Sequence, residues 1–327
     1  MQKDKGLALK IAAVSTAVVL VFLVFFIVFL FSKTSSARSV FAEEPVDKNY
    51  HVLVVGQSER ADFVNQVFEG VNSQSSRYKA IVELKSPDSL AQDLSLQSLI
   101  DYAQYVNADG IIAFVTPQSK SISPVSRIDG TEIPLITIGH YIPDISQVSF
   151  IGINYSSLGR KIAMESKSIL SAEGTNYIVI SSNNSNPNTG NLINSISSFY
   201  KTEGISNYEL LDKSPAENEE RIREIFTGEN SAEDSIICLT EDDSMMVLQI
   251  AGALSLPGRT KILGFGDNET ISIYLEKAFL SKLISLDAFK IGVRAMTELF
   301  EYRNTGYANS YIGAEFRTRS SSGGSTK

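Results

Sequence analysis

Polar and acidic residues follow several short apolar runs in this sequence, and their side chains are well suited to recognise a ligand. The run "PLITIG" is followed by His140 and Tyr141, "SIICLT" by Glu241 and Asp242, and "TKILGFG" by Asp267. Imidazole, phenol and carboxylate groups donate or accept hydrogen bonds in defined directions. The chemistry that they could perform together is the hydrogen-bonded recognition of a small polar molecule.

Several of these residues also have simpler roles open to them. His140 could line a pocket, lie in an ordinary loop, or act as a catalytic base or metal ligand. The last role is disfavoured because a metal site needs several ligands and the chain contains two histidines. Asp242 and Asp267 could cap the helices that follow them, and Glu241 and Asp243 could be solvated or capping residues. Phe63 has helical spacing with Val67 and could therefore face either a pocket or the core.

No complete catalytic motif accompanies these residues. The sequence lacks a G-x-S-x-G elbow, a P-loop, an H-E-x-x-H pair and a full G-x-G-x-x-G, and "GFGDNE" supplies a Gly-x-Gly alone. The single cysteine, Cys238, lies in an apolar run, which predicts a buried thiol and no internal disulfide. We therefore predict a protein that binds without catalysing, with no catalytic residue, no metal and no cofactor.

The charge of the chain argues against nucleic acid as a partner. The net charge is −8, and the first ten residues contribute +2, so the remainder carries −10. A body with that excess of carboxylates would meet phosphate with like charge.

The N-terminus predicts a membrane anchor. Ile11–Phe31 contains no charged residue and as a helix would rise roughly 31 Å, enough for one hydrocarbon core of about 30 Å. The alternative is a signal peptide cleaved after Ala42, but the apolar run is longer than a usual signal core. We expect residues 1–10 in the cytoplasm, residues 11–31 in the membrane, and residues 32–49 as a polar linker. The protein would then be a single-pass protein of the cell membrane with its globular body on the extracytoplasmic side.

The elements that must position the polar residues alternate along the rest of the chain. Apolar β-rich runs, such as residues 50–56, 109–115 and 133–139, are separated by amphipathic segments, such as residues 62–73 and 96–106. Strands that are apolar throughout and separated by helices indicate parallel sheets covered on both faces. The pattern then repeats from about residue 153, which predicts an α/β fold with two doubly wound lobes. Such sheets bind ligands at the carboxyl ends of their strands.

Three segments resemble the type I periplasmic sugar-binding proteins, the ribose- and galactose-binding group, whose lobes are shared by the ligand domains of Lac-repressor-like regulators. They are "IPLITIGHYIPDISQVSFIGINYSSLGRKIA", "SIICLTEDDSMMVLQIAGAL" and "TKILGFGDNETISIYLEKAFLSKLIS". The resemblance covers about residues 50–319. It implies two lobes, joined by three crossings, that close on a small polar ligand. A DNA-binding regulator is disfavoured because its reading helices would have to precede residue 50, where the membrane run lies.

The resemblance also implies a set of ligand-binding residues. The family's acid and base after the fourth strand fall on Gly139 and His140, and the second-lobe arginine is missing, with Asn191 and Asn194 nearby. The polar residue expected at the returning strand falls on Leu286, beside Asp287. The complete implied set is Phe63, His140, Tyr141, Asn191, Asn194, Glu241, Asp242, Asp267 and Asp287.

These observations lead to one principal hypothesis and one alternative. Lobe one is expected at residues 50–152 plus 287–312, lobe two at 153–286 plus 313–319, and a disordered tail at 320–327. The body would bind a sugar or similar small polar ligand and present it to an ABC-type permease or to a sensor histidine kinase. The alternative is a degenerate pair of lobes that serves as a ligand-free interaction or sensory scaffold.

Overall fold

The computed structural model describes residues 50–57, 60–86, 95–117, 119, 122–143, 145–180 and 187–321. The predicted membrane span, linker and most of the predicted tail lie outside these residues. Among the described residues, no helix combines the length and the apolar character needed to cross a membrane. Tyr50–Lys327 forms one compact unit, and its two sheets are described in turn.

The first sheet has six strands in the order β11-β5-β4-β3-β1-β2, and its paired neighbours all run parallel. Its strands are β1 (Tyr50–Val55), β2 (Ala80–Lys85), β3 (Gly110–Val115), β4 (Leu135–Gly139), β5 (Ser149–Gly152) and β11 (Tyr311–Gly313). Its helices are α1 (Ala61–Asn72), α2 (Ser75–Tyr78), α3 (Leu96–Tyr105) and α9 (Ala288–Thr305). We call this sheet and its helices lobe one.

The second sheet has six strands in the order β12-β10-β9-β8-β6-β7, with β12 antiparallel to β10 at one edge and the other pairs parallel. Its strands are β6 (Asn176–Val179), β7 (Tyr208–Leu211), β8 (Ser235–Cys238), β9 (Lys261–Phe265), β10 (Lys282–Leu286) and β12 (Phe316–Ser320). Its helices are α4 (Tyr155–Lys167), α5 (Pro187–Glu203), α6 (Pro215–Thr227), α7 (Glu241–Ala253) and α8 (Glu269–Glu276). These elements make up lobe two.

Both sheets bury apolar side chains on their two faces. In β1, Val52 and Val54 belong to the core under α1 and α9, whereas Leu53 and Val55 belong to the core under α3. Successive residues of a strand point to opposite faces, so a strand covered on both sides is apolar throughout. In β8, Cys238 lies fully buried as a free thiol. The predicted fold class of two α/β lobes with parallel sheets is confirmed.

The chain passes between the lobes after β5, after β10 and after β11. Helix α4 begins at Tyr155, shortly after β5 ends at Gly152, and α9 begins at Ala288, shortly after β10 ends at Leu286. The first turn of each helix therefore lies near the carboxyl end of the strand before it. Strand β12 reaches Ser320, the first residue of the predicted tail. The lobe boundaries expected from the sequence remain predictions.

Candidate functional site

The start of α7 holds an acidic side chain at the carboxyl end of β8. Thr240 caps the helix by accepting a hydrogen bond from the Asp243 amide, and its own amide donates to the Asp243 carboxylate, both at 3.1 Å. Such a reciprocal capping box fixes where a helix begins. Glu241, the first residue of α7, is thereby held at the strand end with its side chain 29% exposed.

Ser244 joins this helix start to the neighbouring strand β9. Its buried hydroxyl donates to the Phe265 carbonyl at 2.7 Å and accepts from the Phe265 amide at 2.8 Å. Beyond Phe265, Gly266 has φ +145°, and a Cβ at that position would lie 2.9 Å from Cγ of Glu241. Glycine is therefore the residue that fits both the backbone and the space.

The turn at Gly266 brings Asp267 against Glu241. The Asp267 amide donates to Oε2 of Glu241 at 3.1 Å, and the Asp267 carboxylate lies 3.3 Å from Nη2 of Arg317, which comes from β12. Arg317 also donates through Nε to the Ser285 hydroxyl at 2.9 Å. Burial raises the pKa of Asp267, and the positive charge of Arg317 opposes that rise. The edge strand thus supplies the cation that compensates a buried acid.

Lobe one contributes an arginine to the same place. Arg60 occupies the N-cap position of α1, and its Nη1 lies 3.6 Å from Oε2 of Glu241. Its guanidinium carbon lies 6.0 Å from the centre of the Phe63 ring, so the side chain extends over the aromatic end of the lobe-one core. An ion pair therefore joins the two lobes at the carboxyl ends of their strands, and we call this junction between the lobes the cleft.

The aromatic residues beneath Arg60 divide into a buried ring and a half-buried ring. Phe63 is 3% exposed and belongs to the core, where its ring centre lies 5.1 Å from that of Phe114. Phe114, near the end of β3, is half-buried. The ring that could offer a face to a ligand here is therefore Phe114.

Strand β4 ends at Gly139 for a steric reason. Gly139 has φ +103°, and a Cβ there would lie 2.7 Å from the Val115 carbonyl oxygen. His140 then donates its amide to the same oxygen at 2.9 Å, while its side chain is exposed and forms no hydrogen bond or ion pair with another described residue. Tyr141 is also exposed, with its ring 5.3 Å from that of Phe150.

The other predicted site residues lie in different surroundings. Asn191 and Asn194 line a groove between α4 and α5 that also contains Arg160. Asp287 caps α9 by accepting from the Lys290 amide at 3.2 Å. Asp242 is exposed in the first turn of α7. Whether these residues, or Phe63 and His140, contact a ligand remains a prediction.

A cavity of about 150 Å³ adjoins Glu241. Its volume is similar to that of cavities that hold a single small ring. Its lining is mostly apolar and includes Ile153, Tyr155, Leu192, Leu239, Glu241 and Phe265. The cavity lies where the crossing after β5 meets the strand ends of lobe two. The described residues contain no group of three or more metal-binding side chains.

Three residues of this site were not predicted from the sequence: Arg60, Phe114 and Arg317. Arg60 lies in a strand-end loop, the position at which a ligand-binding side chain is expected, so its position was a usable signal. Phe114 lies within an apolar run, a pattern that does not indicate which ring is left half-buried. Arg317 lies 50 residues from Asp267, and the pairing depends on β12 returning beside β10, which no local pattern indicates.

Two sheets, one parallel and one parallel except for its edge strand β12, are joined by crossings and carry polar side chains at their strand ends, which defines a two-lobed binding-protein fold. A model of the periplasmic binding protein domain matches residues 52–305, more than half of the chain. The chain therefore belongs to the periplasmic binding protein family. Among curated proteins, no sequence matches it.

Solved structures share the fold at low sequence identity. A mutant XylFII–LytSN complex matches with a TM-score of 0.63 and 18% identity, covering 82% of this chain and 97% of that one. The arabinose-binding protein AraP from Geobacillus stearothermophilus matches with a TM-score of 0.65 and 12% identity, covering 83% and 96%. A periplasmic ribose ABC transporter structure from Conexibacter woesei DSM 14684 matches with a TM-score of 0.59 and 18% identity, covering 84% and 93%. At these identities the likeness establishes the fold.

Proposed function

We propose that this protein is an extracytoplasmic receptor that binds a small carbohydrate between its lobes without changing it chemically. The observation that supports the proposal is the ion pair between Arg60 of lobe one and Glu241 of lobe two, because Glu241 also lines the cavity of about 150 Å³. Carboxylate and guanidinium groups suit vicinal hydroxyls, and a half-buried ring such as Phe114 suits the apolar face of a sugar. The names of the similar structures, which include ribose and arabinose proteins, support the same ligand class.

The proposal is tested with the purified full-length protein. A thermal-shift screen of neutral pentoses and hexoses should find at least one sugar that raises the melting temperature, because a ligand that binds the folded state stabilises it. Calorimetry should then give saturable binding of that sugar, and chromatography should recover it unchanged. A chemically altered sugar, or a panel without a single binder, would contradict the proposal.

We further propose that the N-terminal segment anchors the receptor in the cell membrane and that the liganded body is recognised by a membrane partner. The uncharged run of residues 11–31 supports the anchor. The solved complex of XylFII with LytSN supports recognition of such a fold by a second protein, and the ribose ABC transporter structure supports delivery to a permease. In a deletion strain, loss of uptake of labelled sugar would indicate transport, and loss of sugar-dependent transcription with uptake intact would indicate signalling.

A further inference from the structure

The Arg60–Glu241 pair has N–H donors and carboxylate acceptor positions that form no hydrogen bond within the described part of the chain. Its 3.6 Å separation makes it an ion pair rather than a hydrogen bond. Within the described part of the chain, the Arg60 guanidinium donates no hydrogen bond, and Glu241 accepts one, from the Asp267 amide. A guanidinium has five N–H donors and a carboxylate about four acceptor positions. Glu241, which lines the cavity, thus has unpaired acceptor positions 3.6 Å from a guanidinium with unpaired donors.

Two cations at this place are paired with carboxylates, and a third, Arg319, whose charge also acts on Asp267, donates to the Ser272 hydroxyl at 2.8 Å. Arg60 is paired with Glu241, and Arg317 is paired with Asp267 at 3.3 Å. The nearby Asp242 adds an exposed negative charge in the first turn of α7. A ligand with a carboxylate would therefore compete with Glu241 for Arg60 and would be repelled by the remaining acids, whereas an uncharged sugar meets neither obstacle.

We infer that Glu241, by neutralising Arg60 across the cleft, makes the site selective for uncharged sugars over the corresponding sugar acids. This inference rests on the proposed carbohydrate-binding function. If Glu241 loses its charge, the Arg60 fork becomes free to bind a carboxylate through two parallel hydrogen bonds. Arg60 and Glu241 are then specificity-determining residues.

The test uses Glu241→Gln in the full-length protein and calorimetry with pairs of ligands in which a carboxylate replaces a hydroxymethyl group, such as glucose with glucuronate and galactose with galacturonate. The wild type should bind the neutral member roughly tenfold or more tightly than its acid. Glu241→Gln should narrow that ratio about three- to tenfold, a modest change because both side chains are partly exposed.

Two further variants show whether the effect passes through Arg60. In Arg60→Met/Glu241→Gln the gain in affinity for the acid should disappear, because no free guanidinium remains to bind it. Glu219→Gln makes the same chemical change in an exposed pair on α6, where Glu219 lies 2.7 Å from Arg223, and should leave the ratio unchanged. Melting temperatures of all variants check that each is folded.

The outcomes separate the two proposals. An unchanged ratio in folded Glu241→Gln, or a gain that persists without Arg60, would overturn the inference and leave carbohydrate binding standing. A wild type that prefers the acids would do the same. A wild type that binds no sugar of the thermal-shift panel and none of the acids would overturn both.

Discussion

Two clusters of charged side chains are built from similar groups but connect different parts of the molecule. The Glu165 carboxylate of α4 accepts hydrogen bonds from Lys161 at 2.7 Å, Lys282 at 2.6 Å and Thr318 at 2.9 Å. All of these donors belong to lobe two. The Glu241 carboxylate accepts a hydrogen bond from the Asp267 amide of its own lobe, and its Oε2 lies 3.6 Å from Nη1 of Arg60 in the other lobe. All residues of the first cluster belong to one lobe, whereas the second, which we call the cleft cluster, contains residues from both lobes.

The difference suggests different roles for two glutamates. Burial alone would raise the pKa of Glu165, but hydrogen bonds from Lys161, Lys282 and Thr318 outweigh burial and lower that pKa to about 2. A carboxylate satisfied so fully has little left to offer a ligand, and it stabilises the fold. Glu241 keeps acceptor capacity and has a partner whose distance depends on how the lobes meet, as a ligand-binding group requires.

The largest effect that this comparison predicts is on stability. Glu165→Gln should lower the free energy of unfolding by about 2 kcal/mol, because it removes the charge that two lysines share in a partly exposed site. Urea denaturation of the full-length protein measures it. Sugar affinity should stay unchanged, and Glu219→Gln on α6 should have little effect on stability. A loss of affinity in Glu165→Gln would mean that the two clusters are not separate.

The pH dependence of stability should identify the same carboxylate. Because the pKa of Glu165 falls from 4.5 to about 2 on folding, its contribution is complete above pH 4.5 and is lost as the pH falls towards 2. The difference in unfolding free energy between the wild type and Glu165→Gln should therefore shrink across that window. A difference that stays constant from pH 6 to pH 2.5 would contradict the assignment.

A substitution in the cleft cluster should change sugar affinity more than it changes stability. Asp267→Asn keeps the backbone amide that donates to Glu241 but removes the counter-charge of Arg317 and one carboxylate of the predicted ligand-binding set, so sugar affinity should fall about tenfold. Stability should change little, because the variant also removes the cost of burying a charged carboxylate. Calorimetry and urea denaturation of the same preparation measure both quantities. A large loss of stability with affinity intact would place Asp267 among the structural residues.

The smallest predicted effect concerns salt. Raising the salt from about 0.05 M to 0.5 M should weaken sugar binding about two- to threefold, because the cleft pair is 37% and 29% exposed and is therefore screened. The Arg60→Met variant should show less dependence on salt. An equal dependence in both proteins would indicate that the pair takes no part in binding.

The sequence was sufficient to predict the elements whose side chains are buried on both faces. Strands β1, β3, β4, β8 and β9 are apolar runs, and the helices between them have apolar residues at helical spacing. Strand β7 was missed because its middle residues, Glu209 and Leu210, are exposed, and β11 because it has three residues. Such edge strands carry a weak pattern.

The candidate site was predicted from the sequence less completely than the strands and helices were. Glu241 and Asp267 were expected there because each follows an apolar run, and the structure places them in contact. Arg60 and Arg317 come from distant parts of the chain, and a charged residue gives no sign of its partner. The Phe63 ring lies in the core, 5.1 Å from the ring of Phe114, and its contact with a ligand remains a prediction.

A crystal structure of the full-length protein with the sugar found by the thermal-shift screen tests the central claim most directly. We expect the sugar between the lobes, with hydroxyl groups within hydrogen-bonding distance of Arg60 and Glu241 and with one face against Phe114. A sugar bound in the groove between α4 and α5, against Asn191 and Asn194, would contradict the account.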